Sequence, residues 1–176
     1  MEFFQSSSLN KIVSVCLLHW LSSFQLPNIC VKWPNDILSG DSKLAGILIE
    51  SNVLQSTANS IIIGVGLNVN QVEFQNLPNA TSMQLLTSKS YDIDALLFSL
   101  TTKLIECLSP PTKNCNDDYH KYLYGLGQSR FFLKDKKTFE GIIQSVNSEG
   151  KLVLKTTAGE QVFDVKELQF VHVADQ

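Results

Sequence analysis

Arginine is nearly missing from this chain. Its 176 residues contain one, Arg130, and 14 Lys+Arg face 17 Asp+Glu for a net charge of −3. A protein that binds nucleic acid through its phosphates needs a basic face, so the balance argues against that class. Long apolar runs are missing too. No stretch approaches the ~18–20 residues of a membrane-spanning helix, and Met1–Gln5 has no basic segment leading into an apolar one, so neither a membrane span nor a secretory signal is expected. Cysteine is sparse: Cys16, Cys30, Cys107 and Cys115 form no C-x-x-C pair, which excludes a zinc ribbon, a redox motif and a disulfide scaffold. His19, His120 and His172 match no metal-ligand spacing. Reduced thiols and a cytoplasmic location are the expectation. What is present is 44% hydrophobic and only 18% charged residues, enough to build a core.

Hydrophobic spacing divides the chain. Leu9, Ile12, Val13, Cys16, Leu17, Trp20, Leu21 and Phe24 recur at i, i+3, i+4 and predict an amphipathic helix over 6–24, stopped by Pro27. Strands are expected at 29–33, 44–50 and 60–69. The last is nearly all apolar at Ile61-Ile62-Ile63, as for a strand covered on both faces. Ile93, Leu96, Leu97, Leu100, Leu104, Ile105 and Leu108 predict a second helix with Asp92 and Asp94 at its start, ended by Pro110-Pro111. A short helix is expected over 117–124. From Gly125 the period falls from 3.6 to 2, with strands at 138–146, 151–155 and 161–165 and turns at 147–150 and 158–160. We therefore place a domain boundary at Gly125: residues 1–124, then a small β-rich domain over 125–176.

Two segments carry candidate chemistry. In Val31-Lys32-Trp33-Pro34-Asn35-Asp36-Ile37, a strand delivers a carboxamide and a carboxylate to a turn. The hairpin that follows returns Lys43 in Lys43-Leu44-Ala45-Gly46. Asn35 donates and accepts, Asp36 accepts from an amine or a metal-bound water, and Lys43 neutralises a carboxylate or phosphate. On residue types alone, an Asx-turn beside a solvated lysine is the commoner reading, because such turns are common. In Ile63-Gly64-Val65-Gly66-Leu67-Asn68-Val69-Asn70, two glycines let a ligand approach the backbone, or mark a bulge with no ligand. This is not the dinucleotide fingerprint, because Val69 stands where its third glycine would be.

In this order and spacing, K-W-P-N-D-I, K-L-A-G-I-L-x-E and G-x-G-L-N-V-N resemble the biotin protein ligases, also called biotin–[acetyl-CoA-carboxylase] ligases. The resemblance implies an α+β fold: a catalytic domain with a mixed sheet and flanking helices, here partial, followed by an SH3-like β-barrel. It implies biotin and ATP, with Mg²⁺, as substrates. Biotinyl-5′-AMP forms first and passes its biotinyl group to a lysine of biotin carboxyl carrier protein. By the same resemblance Lys43 neutralises charge between biotin carboxylate and α-phosphate. Asp36 orients the acceptor ammonium, Trp33 walls the biotin chain, and Gly46, Gly64 and Gly66 let biotin lie against the backbone. Asn35 contacts the nucleotide, and Asn68 serves the nucleotide and Mg²⁺ region. No side chain is assigned as a metal ligand.

The chain departs from the family pattern at its start. A serine/threonine-rich biotin motif and a basic Gly-Arg-rich loop precede the first helix in the family, and neither is found here. The expectation is a C-terminal part of a ligase, whose stand-alone activity is in doubt. A non-catalytic module that binds a carrier domain or a full-length ligase is the rival. A lipoate- or octanoyl-transferase relative shares the fold but not the motifs. No helix-turn-helix precedes the ligase motifs, so a repressor role is not expected, while pairing of two chains through an exposed sheet edge is.

Overall fold

The computed structural model describes residues 6–52, 60–109 and 115–171. Helix α1 (Ser6–Ser22) runs through the middle of the core. It is buried on more than the one face its period suggests, since Lys11 to Leu18 are all inaccessible and only His19 among its middle residues is exposed. Val15 and Leu18 fill the side opposite Leu9, Val13 and Leu17, so the helix is sandwiched rather than amphipathic. On one side lies α3 (Ile93–Leu108), joined to it where Trp20 Nε1 donates to Ser99 Oγ at 3.1 Å. Asp92 caps α3 as its position suggests, its carboxylate accepting from the amides of Asp94 and Ala95. The expected stop at Pro110-Pro111 lies outside the described residues, but the helix ends at Leu108, just before it.

On the other side of α1 is a four-stranded sheet. Its order is β1 (Ile29–Lys32), β2 (Asp36–Ser39), β3 (Ser42–Asn52), β4 (Ser60–Leu67). The expected mixed sheet proves to be an antiparallel meander; parallel pairing is confined to single bridges such as Val31 with Leu123. Strand β2 falls where only a turn and hairpin bend are expected. Alternation sorts the residues: Val31, Ile37, Ala45 and Ile47 face α1 and are buried. The apolar β4 is not covered on both faces, since Ile61 is 44% and Ile62 53% exposed. The short helix α2 (Met83–Thr87) follows β4, capped by Ser82, and was not legible from periodicity.

After α4 (Asn116–Lys121), shorter than the expected 117–124, the chain turns and Leu123 forms a single parallel bridge with Val31 of β1. The Val31 amide donates to the Tyr122 carbonyl, and the Tyr124 amide to the Val31 carbonyl, both at 2.8 Å. Beyond Gly125 comes a second antiparallel sheet, β8–β7–β6–β5–β9. Its strands are β5 (Ser129–Lys134), β6 (Lys137–Val146), β7 (Leu152–Thr156), β8 (Gly159–Phe163) and β9 (Gln169–Phe170). Strands β8 and β9 are its two edges among the described residues. Lys11 of α1 anchors this sheet: its buried ammonium donates to the carbonyls of Val146 and Asn147 at 2.9 and 3.1 Å and to Asn116 Oδ1 at 2.8 Å. Burial lowers the Lys11 pKa.

Candidate active site

The register of the first sheet builds the site. Lys32 pairs with Asp36, Asp36 with Gly46, and Gly46 with Gly66, one straight row across four strands. Cross-strand partners in antiparallel ladders share a face, so Lys32 and Asp36 stand at one end of a row whose other end has no side chains. Gly64 lies one step along, opposite Leu48. The result is a groove with a glycine floor, lined by Asn35, Asp36, Lys43, Gly46, Ile47, Leu48, Gly64, Val65 and Gly66. Leu48, 59% exposed, gives its rim an apolar surface.

Lys43 joins this face through an irregularity. Ile37 pairs with Ala45 but Leu38 with Lys43, a shift that brings the lysine back over the row. Its Nζ lies 2.6 Å from Asp36 Oδ1, with the lysine side chain half exposed and the aspartate 24% exposed. A Cβ on Gly46 would sit 3.5 Å from Lys43 Cε and Nζ and 3.6 Å from Asp36 Oδ1. The ion pair therefore rests directly on Gly46.

The two asparagines fix the backbone around this pair. Asn35 Nδ2 donates to the Ile47 carbonyl at 2.8 Å, and the Ile47 amide returns a bond to the Asn35 carbonyl at 2.8 Å. Asn68 Nδ2 donates to the Thr81 carbonyl at 2.9 Å and to that of Lys43 at 3.4 Å. The turn and the strand end are thus clamped to β3 on either side of Lys43. Trp33 is the expected site residue that the structure does not bring into the groove. It is 4% exposed, and its Nε1 donates to the Gly150 carbonyl at 2.8 Å, packing toward the second sheet. Trp33 stands in the turn just past the end of β1, and there its ring is held toward the second sheet by the Gly150 bond.

Sequence reasoning missed a second recess on the far side of the ion pair. Lys32, Asp41, Lys43 and Asn68 line it together with Phe74, Leu77, Pro78 and Asn79. Its wall is the loop after β4, whose position is set where the Lys43 amide donates to the Asn79 carbonyl at 2.7 Å. No period marks such a loop, so its residues carried no signal. Lys32 is half-buried, and desolvation lowers its pKa, while Asp36 and Asp41 oppose the shift and Lys43 adds to it. Asp41 in turn accepts from Tyr124 Oη at 2.5 Å. Burial and this bond push the Tyr124 pKa up to about 12. The sole arginine is elsewhere: the Arg130 guanidinium stacks 4.8 Å from the Tyr124 ring centre and donates to Gln128 Oε1.

Resident metal chemistry finds no cage here. Asp36, the one carboxylate of the glycine-floored groove, is engaged by Lys43, and no group of three His, Cys, Asp or Glu side chains among the described residues is placed to hold an ion.

Residues 2–68 match the model of the Biotin/lipoate A/B protein ligase family. The biotin–[acetyl-CoA-carboxylase] ligase of Mycobacterium tuberculosis is 33% identical over 129 residues, 70% of this chain and 46% of that protein. The bifunctional ligase/repressor BirA of Bacillus spizizenii is 29% identical over 138 residues, 73% of this chain and 42% of that protein. The chain thus spans under half the length of these curated relatives. The solved biotin protein ligase of Aquifex aeolicus in complex with biotin and ATP superposes with a TM-score of 0.76 over 97% of this chain and 73% of its own, at 21% identity. The α+β arrangement of antiparallel sheets and helices is therefore that of a biotin protein ligase fold. The chain is a partial match to the biotin protein ligases, aligned with the central and C-terminal part of their length.

Proposed function

We propose that the Lys43–Asp36 groove is a biotin-activating site. The observation that carries this reading is the row Asp36–Gly46–Gly66 with Lys43 folded over it. An apolar-rimmed, side-chain-free floor ends at a single ion pair, and a second recess opens beyond that pair. A bicyclic ring on an aliphatic tail lies on the glycines against Leu48 and presents its carboxylate to Lys43. The nucleotide occupies the other recess, so the two substrates meet at the ammonium.

In the first step a biotin carboxylate oxygen bonds to the α-phosphorus of Mg-ATP as the bond to pyrophosphate breaks. Negative charge gathers on the phosphoryl oxygens, and Lys43 offsets it. Drawing Lys43 toward the phosphate weakens its pair with Asp36. That frees the carboxylate to accept a proton from the acceptor ammonium of a biotin carboxyl carrier protein. The neutral amine then attacks the acyl carbon and AMP leaves. Asn35 and Asn68 hold Lys43 in place and border the nucleotide. The reaction belongs to the cytoplasm. The β5–β9 sheet is read as a second, SH3-like domain from Gly125 onward.

Stand-alone turnover should be slow. ATP brings several negative charges, Lys43 is already paired, and Arg130 is committed to Tyr124. A second reading has its own support. Among the described residues strand β4 is an edge of its sheet, and it exposes Ile62 on the face of Leu48 and Ile61 on the other face. Such a strand suits pairing with a second copy, a full-length ligase or a carrier domain without catalysis. Incubating the chain with biotin, Mg-ATP and a carrier domain separates the two. At stoichiometric chain, slow gain of one biotinyl mass that Lys43→Ala abolishes supports the enzyme. A carrier that binds the chain but gains no mass supports the module.

A further inference from the structure

A third recess, of about 180 Å³, shares no lining residue with the groove over Gly46 and has no part in the proposed reaction. It opens where α1 and α4 meet the second sheet. Asn10 and Lys11 come from α1, Tyr119 from α4, and Trp33 and Pro34 from the turn after β1. Val146, Gly150 and Val165, from the second sheet and its loops, complete the lining.

Two polar groups of this recess are buried, Lys11 at 8% and Tyr119 at 1% exposure, with the Lys11 ammonium 5.5 Å from the centre of the Tyr119 ring. The ammonium donates to three neutral oxygens, the carbonyls of Val146 and Asn147 and Asn116 Oδ1. Burial is the only cause of its lowered pKa, so no carboxylate stands close enough to balance its charge. The carboxylates next to the lining in sequence, Glu149 and Asp164, are exposed and lie 2.9 and 3.8 Å from Lys151 Nζ. The Tyr119 hydroxyl has no hydrogen-bond partner among the described residues, and burial alone raises its pKa, which keeps it a donor. Among those residues the only unpartnered side-chain N or O atom sealed from solvent is Arg130 Nε. The Tyr119 hydroxyl therefore opens onto space, and the recess it lines is that space. Neighbouring donors are already engaged: Trp33 Nε1 with the Gly150 carbonyl, and the Val146 amide with His120 Nε2 at 3.0 Å. A buried donor without a partner is costly, and a buried cation attracts an anion more strongly than an exposed one.

The remaining walls, Trp33, Pro34, Val146 and Val165, are apolar. An apolar cavity of about 150 Å³ holds a benzene ring, so this recess has room for such a ring and a small charged head. We propose that the recess is a binding site for a small monocarboxylate with a flat apolar body, its carboxylate accepting from Tyr119 Oη within the field of the Lys11 ammonium. Trp33 and Pro34 immediately precede Asn35 and Asp36, so an occupant bears on the turn that carries the Asp36–Lys43 pair. The binding itself does not depend on the biotin-activating reading.

The test is calorimetric titration of the full chain with benzoate, beside benzamide, its neutral isostere. One benzoate should bind per chain, with benzamide weaker by about 10-fold or more, because the carboxylate charge is what Lys11 answers. Tyr119→Phe keeps the ring beside Lys11 and deletes only the donor. It should weaken benzoate about 10-fold, the scale of one hydrogen bond to a charged group, whereas Lys43→Ala should leave benzoate affinity unchanged. Thermal melts show whether Tyr119→Phe is folded. Should it melt early, Val165→Phe takes its place: Val165 is 45% exposed, and a larger side chain there narrows the recess and should weaken benzoate in the same way. No benzoate binding by the unaltered chain, equal affinity for benzoate and benzamide, or unchanged affinity in the folded variant overturns the proposal. Weakening by Lys43→Ala instead of Tyr119→Phe would put benzoate in the glycine-floored groove and overturn it as well.

Discussion

Asp36 Oδ1 and Lys43 Nζ lie 2.6 Å apart, across a register shift in the β2–β3 hairpin and directly above Gly46. As a half-exposed ion pair it is worth little to stability; its interest is positional, because the register shift and the glycine beneath it bring these two atoms to one point. Four consequences can be measured.

Lys43→Ala removes the cation that offsets phosphoryl charge. Biotin-dependent pyrophosphate release should fall by about 10²–10³-fold, the usual loss when one preorganised donor is deleted. Stability should change little, since the side chain is half exposed. Single-turnover pyrophosphate release at an unchanged rate would remove Lys43 from the mechanism.

Asp36→Asn keeps the shape and loses the proton acceptor. Transfer from preformed biotinyl-5′-AMP to a carrier lysine should slow more than adenylate formation does. Rapid-quench measurement of the two half-reactions decides it, and equal losses would place Asp36 in a purely structural role toward Lys43.

Gly46→Ala separates floor from fold. The added methyl group meets Lys43 and Asp36 at 3.5–3.6 Å, ordinary contact that nothing must move to accept. Melting should shift by no more than the equivalent of about 1 kcal/mol, while biotin affinity drops because the floor is raised. Undiminished biotin affinity in calorimetry would mean that the ligand does not lie on this row.

Tyr124 predicts an alkaline dependence. Its folded pKa, about 12, lies above the unfolded value of about 10. The folded state therefore holds the phenolic proton more tightly. The stability this contributes is complete below pH about 10 and is lost as pH rises toward 12. Partly buried Cys30, raised to about 11, acts in the same direction, and Lys11 and Lys32, both lowered, act against it. The diagnostic is the difference between the chain and Tyr124→Phe. Melting temperatures from pH 9 to 11.5 should fall more steeply for the unaltered chain, and parallel curves would show that the bond to Asp41 does not perturb the tyrosine.

Much of this arrangement was written in local pattern. Helix α3 matches its expected span and cap, because period 3.6 and Asp92 are local signals. Strands β6 and β7 follow alternation closely. Strands β2, β5 and β9 escaped: β2 is four residues embedded between turn formers, and β9 is two residues defined only by its partner. The motifs pointed to Asn35, Asp36, Lys43 and the glycines, and the structure gathers these around one groove. They could not give the direction of Trp33, which a bond to the distant Gly150 carbonyl sets, nor the row joining Lys32 to Gly66, which depends on the register of three ladders. The apolar run at Ile61-Ile62-Ile63 shows the limit plainly. Hydrophobicity records that a strand suits burial, not that this chain covers it.

The central claim is that the groove over Gly46 binds the activated biotin through Lys43. Calorimetric titration of the chain with a hydrolysis-resistant analogue of biotinyl-5′-AMP tests it without requiring turnover. The account predicts one site per chain, with affinity reduced at least 10-fold in Lys43→Ala, about the loss of one charged hydrogen-bond partner, and reduced again in Gly46→Ala. Absence of binding, or binding that neither substitution weakens, would contradict it.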